Sequence, residues 1–243
     1  MPDIFAETND GFQTSGLLSS WDSAHDAVGQ SSPSTTSTTY NFAVGTIFAS
    51  GRGAYFIRRS FFEFDTSGIL VAPSSATFQI FVPSTSYDNS SLILVKSGHD
   101  PSDTTEDWFS TWLTGLGGTI SGWSNTDSEV VPYSSNLAAG MGAGYVSLTL
   151  NSDALSDMAS LSSFKVVLMN YSNDYLDSSS SHEGFTGLIF ADNGGTSTSK
   201  DPKINYVEAT SNYGHAVMGV ASGNIAKVNG VATANIDKVI GVD

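Results

Sequence analysis

The chain has 243 residues, 40% of them apolar and only 14% charged, with a formal net charge of -15 and a pI near 4.3. That is length for one large all-β domain or two small ones, and enough apolar material for a core. A chain this acidic, with no Lys or Arg before Arg52 and none between Lys96 and Lys165, repels phosphate backbones and anionic lipid, so neither nucleic acid nor a membrane is an expected partner.

There are no cysteines, which excludes disulfides and thiolate metal sites. No apolar run approaches the roughly 18 residues of a membrane span. The opening MPDIFAETND lacks the basic and apolar regions of a signal peptide. The expectation is a product of the cytoplasm that is not exported by that route.

Along the chain, Asp3 to Ala27 is sparse, with one strand expected near Ile4–Glu7. The run SSPSTTSTT (Ser31–Thr39) is low-complexity and reads as a loop. Strand signals then come quickly. Tyr40–Ala49 is one, and Ala54–Asp65 (AYFIRRSFFEFD) is the densest, closed by the turn Asp65-Thr66-Ser67-Gly68. Ala76–Val82 and Leu92–Val95 follow.

Residues 99–140 are rich in Gly, Ser, Asp and Thr and punctuated by Trp108, Trp112 and Trp123. They read as a long decorated connection with short strands. Gly144–Leu150 alternates at period two. Asn151–Leu161 is the one good helix candidate: Asn151 and Ser152 offer caps, and Ala154, Leu155, Met158 and Ala159 fall at helical spacing. Phe164–Met169 is almost continuously apolar, as a strand buried on both faces would be. Gly184–Ala191 and Ile204–Ala209 complete the series.

Many short strands with turn signals and almost no helix predict an all-β fold, an antiparallel two-sheet jelly-roll sandwich. The body is expected over 1–209, with 1–39 partly irregular, and Thr210–Tyr213 links it to a C-terminal arm over 210–243.

That arm repeats itself. In register it reads YGHAVMGVASG, NIAKVNGVATA and NIDKVIGVD, so that Gly219-Val220, Gly230-Val231 and Gly241-Val242 recur at a period of eleven. A short regular period means that one small unit is laid down repeatedly. Asn229-Gly230 suits a type I′ hairpin, and a type II turn with glycine third fits all three units. Each unit has too few apolar groups to bury a core alone. The arm is therefore expected to lie against copies of itself or against a neighbour's sheet edge. The residues expected at that interface are Val217, Gly219, Val220, Ile225, Val228, Gly230, Val231, Ile236, Val239, Gly241 and Val242.

The run RRSFFEFDTSGI (Arg58–Ile69), followed by SSATFQIFV (Ser74–Val82), resembles the jelly-roll domains called DNRLRE-type surface domains. In those an Arg-Ser-(apolar)-x-x-Phe-Asp strand leads through a turn to a Ser-Ala-Thr-Leu-x-Leu strand. The literal hexapeptide is absent. The closing run LIFADNGGTSTSKDPKINYVEA (Leu188–Ala209) is similar to the ending of marine bacteriophage structural proteins, which frequently carry NI-x-KVNGV repeats like Asn224–Val231. The resemblance spans roughly 40–243 and includes no catalytic motif. It implies a virion protein, on the particle's outer surface, with a jelly-roll body. A homotrimer is the oligomer expected of such appendages, docking to a major capsid protein or other virion proteins.

Catalytic patterns are thin. No Gly-x-Ser-x-Gly elbow occurs. His25, His99, His182 and His215 are scattered, and read as ordinary surface or loop histidines before they read as a triad member. His182-Glu183 lacks the second histidine of a zinc helix. The glycines of 115–118 and 140–144 do not meet the dinucleotide spacing. Glu106, Asp107, Asp192 and Asp201 could line a glycosidase cleft, with solvated loop acids the plainer reading. Asp192, Asn193 and Asp201 offer calcium the oxygen ligands it needs.

Trp108, Trp112 and Trp123 could stack on host glycans or simply anchor their loop on the sandwich. Arg58 and Arg59 are expected to meet acidic partners in the fold or across an interface. Neither a cofactor nor a catalytic residue is assigned. The function expected is that of a phage virion structural protein, as capsid decoration (cement) or short head fibre. The alternative is a tail fibre or carbohydrate-binding module that meets host glycans.

Overall fold

The structure, a computed structural model, describes residues 2–7, 10–27, 42–82, 91–102, 107–137, 143–179, 184–190, 200–209, 227–228 and 231–232. The chain divides into two compact units, Met1–Val207 and Glu208–Asp243.

The first unit is an antiparallel sandwich. Its strands are β1 (Asp3–Phe5), β2 (Gly11–Thr14), β3 (Phe42–Ala49), β4 (Ala54–Asp65), β5 (Ser75–Val82), β6 (Leu92–Lys96), β7 (Gly144–Thr149), β8 (Ser163–Asn170), β9 (Gly184–Phe190) and β10 (Lys203–Val207). Among the described residues three α-helices lie between them: α1 (Trp21–His25), α2 (Trp108–Thr114) and α3 (Ser152–Ser160). One sheet has the order β1-β10-β5-β7, and the other runs β6-β8-β4-β3-β9 with β2 also on β4.

The long strand β4 organises the second sheet. Arg58 is paired with both Thr14 and Gly45, and Ser60 with both Phe12 and Leu168. A strand residue has one neighbour per edge, so β2 holds one edge of β4 while β3 and β8 share the other end to end. In the first sheet β1 pairs β10, and Asp3 accepts from Lys203 Nζ at 2.9 Å and from Asn205 Nδ2 at 2.7 Å.

The two sheets bury one apolar core between them. Alternation in β5 sends Ala76, Phe78, Ile80 and Val82 inward. They meet Phe62 and Phe64 of β4, Leu92 and Leu94 of β6, and Phe164, Val166 and Leu168 of β8. The helix expected at Asn151–Leu161 is α3. Asn151 caps it, its side chain accepting from Ala154 N at 3.0 Å. Ala154 and Met158 seal one end of the core.

The second sheet is buried on its other face as well. The alternate residues Phe61, Ile93, Val95, Val167 and Met169 pack under Trp108, Trp112, Leu113, Trp123 and Tyr175. A cap made of α1, α2 and the loops around them thus forms a third layer, as the continuous apolar character of β8 requires.

Two expectations are corrected. The segment 99–140 is not a run of short strands, because 108–114 is helical: burial of Trp108, Phe109, Trp112 and Leu113 along one face outweighs the modest helix propensity of aromatics and threonine. Within the irregular 1–39, Gly11–Thr14 is a strand and Trp21–His25 a helix capped by Ser20. The loop reading of Ser31–Thr39 lies outside the described residues.

In the second unit Lys227–Val228 and Val231–Ala232 form an antiparallel hairpin, β11 and β12, with Val228 opposite Val231. Two residues, Asn229 and Gly230, separate the paired valines, the spacing of the tightest hairpins.

Candidate functional site

The most densely connected polar cluster lies in the cap, on the outer face of β4. Arg59 is an odd-numbered neighbour of Ile57 and Phe61 and so points into the cap. It is fully buried, as is Asp174. The pair is bidentate: Arg59 Nε donates to Asp174 Oδ2 at 2.9 Å and Nη2 to Oδ1 at 2.7 Å. Arg59 Nη1 also donates to Phe109 O at 3.2 Å, and Nη2 to His25 O at 3.1 Å. Its guanidinium lies 4.0 Å from the centroid of Phe109, 5.3 Å from Trp123 and 5.6 Å from Trp112. The expectation that this arginine meets an acid is met within the fold. Arg58, on the opposite side of β4, lies over Phe56 at 5.1 Å and Phe12 at 5.8 Å.

His25 completes the cluster. It stacks on Trp123 at 4.3 Å, its Nε2 faces the carbonyl of Asp174 at 2.9 Å and its Nδ1 faces Asp26 Oδ1 at 3.0 Å. Trp21 donates to Asp177 Oδ1 at 2.7 Å. Asp177 adopts a left-handed φ of 46°, which aspartate tolerates better than most residues. Four segments distant in sequence are thus held by one buried charge pair: α1, β4, α2 and the turn at Tyr171–Tyr175. Gln13 adds β2, since its Oε1 accepts from Phe109 N at 2.8 Å at the start of α2.

The tryptophans offered as a glycan platform belong to this cap. Trp108 and Trp112 are fully buried and Trp123 is 2% exposed, so no ring face is open to a sugar. The reason is physical. Trp112 packs edge-on to Trp123 at 5.0 Å, Trp108 edge-on to Phe61 at 5.8 Å, and Trp108 Nε1 donates to Asp100 O at 2.9 Å. These rings shield the ion pair.

His99 is buried too. Ser97 Oγ lies 2.7 Å from His99 Nδ1, nucleophile-to-base distance, but both side chains are shut from solvent and His99 Nε2 has no hydrogen-bond partner among the described residues. Phe61 and Trp108 flank the ring at 5.2 Å each. Burial, and then the Lys165 ammonium, push His99 down to about 3, which keeps it neutral. The ring is thus neutral and enclosed. The surface reading of His25 and His99 is therefore corrected. Of the remaining histidines, His182 and His215 lie outside the described residues.

Near Gly115 the need is steric. A Cβ on Gly98 would meet Gly115 C at 2.6 Å, because the end of β6 crosses the end of α2, where Gly98 N donates to Trp112 O at 2.8 Å. Of the acids, Asp107 caps α2, its Oδ1 accepting from Phe109 N at 3.2 Å, and Asp201 is buried. Glu106, Asp192 and Asn193 lie outside the described residues, as does most of the 140–144 glycine run. Among the described residues no group of three His, Asp or Glu is placed to hold a metal.

Of the interface residues, Val228 and Val231 form the hairpin pair, while Val217, Gly219, Val220, Ile225, Gly230, Ile236, Val239, Gly241 and Val242 lie outside the described residues. No protein-family model and no curated protein matches this chain.

Proposed function

We propose that this chain is a bacteriophage virion structural protein, a capsid decoration or short head fibre that acts by adhesion, not turnover. The observation that carries the reading is the eleven-residue repeat, with the hairpin of Val228 and Val231 in its central unit. A two-stranded hairpin of this length does not stand alone in water. Stacked copies would remove its valines and isoleucines from water, at about 25 cal/mol per Å2 of apolar surface. The arm of one copy would then grip the arms of others, with a trimer as the expected product, and the body would be the rigid block that the arms present to other virion proteins. The buried cap supports a scaffold role, since its charged groups are spent on one another. The glycan-binding alternative loses the three tryptophans as its platform.

The native masses of the full-length protein and of a chain ending at Thr210 test this. A discrete oligomer that becomes a folded monomer on truncation is the expected result. A truncated body that keeps the oligomeric mass sinks the arm's role.

A further inference from the structure

We propose that the end of the body from which the arm departs is a second interface between copies of this chain, centred on Leu70, Val71 and Ala72. The inference rests on the reading of the arm as a self-assembly element. These three residues form an exposed apolar run between buried Ile69 and Pro73, with Leu70 85% and Val71 57% exposed. Such runs are costly on a monomer surface unless something covers them.

The loop is not loose. Ile69 is rooted in the core between the sheets and its N donates to Thr66 O at 2.8 Å. Thr66 N donates to Ser162 O at 3.0 Å, Thr66 Oγ1 donates to Leu161 O at 2.5 Å, and Ser74 N donates to Val207 O at 2.9 Å. Those same bonds bring Leu161 and Val207 to this end. With Leu70 and Val71 they make four of the seven exposed large hydrophobics among the described residues.

Chain connectivity names the occupant. Val207 is the last residue of the body unit, and the arm begins at Glu208. Copies joined through their arms are tethered to one another at this end, next to Leu70 and Val71. A tether raises the local concentration of the second contact to roughly millimolar, where a small apolar patch suffices. Copies of a chain with a net charge of -15 repel one another, so the patch closes only after the arms have joined. It should not assemble the truncated body by itself.

The test uses the full-length chain. The double variant Leu70→Asp, Val71→Asp replaces two exposed side chains, so its circular dichroism and Tm should match the parent. Sedimentation equilibrium should show a dissociation constant raised by about tenfold or more. Because the chain has no cysteine, Leu70→Cys gives a single thiol, which a short bis-maleimide should join between copies. Ser128→Cys, exposed on the cap, should not be joined. An oligomeric parent with an unchanged constant in the double variant and no Leu70→Cys product overturns this interface, leaves the arm reading intact and assigns the patch to a different protein. A monomeric full-length parent overturns both.

Discussion

The two faces of the second sheet are filled by opposite means. Between the sheets lie Phe62, Phe64, Phe78, Phe164 and their aliphatic neighbours. On the outer face, one residue away along β4, a buried arginine and aspartate sit inside a shell of tryptophan and phenylalanine. The inner layer is held by area and volume, which many side-chain combinations can supply. The outer layer joins short, separate segments that have little apolar surface each. There a bidentate pair with two further backbone acceptors fixes geometry that shape alone would leave open. The contrast teaches that one strand can specify a permissive core on one side and a demanding one on the other.

Breaking the pair should have the largest effect. Asp174→Ala leaves Arg59 buried without its counter-charge and should cost about 3–5 kcal/mol in urea unfolding. The double variant Arg59→Met, Asp174→Leu removes both charges and should recover most of that loss, because desolvation of the ions disappears together with their attraction. If the single variant is as mild as the double, the cap is wetter than its burial implies, and the two faces are alike after all.

Acid should separate the faces next. His99 belongs to the outer layer and is held neutral, titrating at about 3 against an ordinary value of 6.5. The unfolded chain takes up this proton as pH falls through 6.5, while the folded chain refuses it until about 3. Stability from this group is therefore complete above 6.5 and is lost progressively down to 3. His99→Gln keeps a polar partner for Ser97 and removes the titration. Its Tm should fall less than the parent's between neutral pH and pH 4. Parallel Tm curves would show that His99 is not kept neutral by the fold.

The inner layer was the more legible in sequence. Alternation in Ser75–Val82 and the aromatic density of Ala54–Asp65 state directly which side chains face a core. Asn151 at a cap position with apolar spacing behind it marks α3. The outer layer was less so, for two reasons. Its helices are short, and residues of low helix propensity fill them, so that tertiary burial rather than local preference decides. The spacing of Trp108, Phe109, Trp112 and Leu113 behind Asp107 was the signal available for α2. The partner of Arg59 stands 115 residues away, and no local pattern distinguishes Asp174 from the many other acids. Trp108, Trp112 and Trp123 were ambiguous because a glycine-rich segment does not reveal whether something covers it.

The smallest effect sharpens the comparison most, because it holds distance constant and changes burial. Lys96 Nζ lies 2.8 Å from Asp157 Oδ2, as close as Arg59 lies to Asp174, but its side chain is 29% exposed and that of Asp157 24%. Asp157 also accepts from Tyr133 Oη, which burial and then that bond raise above the ordinary phenol range. Removing the lysine leaves the carboxylate with water and the phenol. Lys96→Met should therefore cost less than about 1 kcal/mol, and 0.5 M salt should abolish even that difference. Urea unfolding of this variant beside Asp174→Ala decides whether separation or burial sets the strength of an ion pair in this sandwich. Equal losses would mean that separation does, and the special standing given to the cap would have to go.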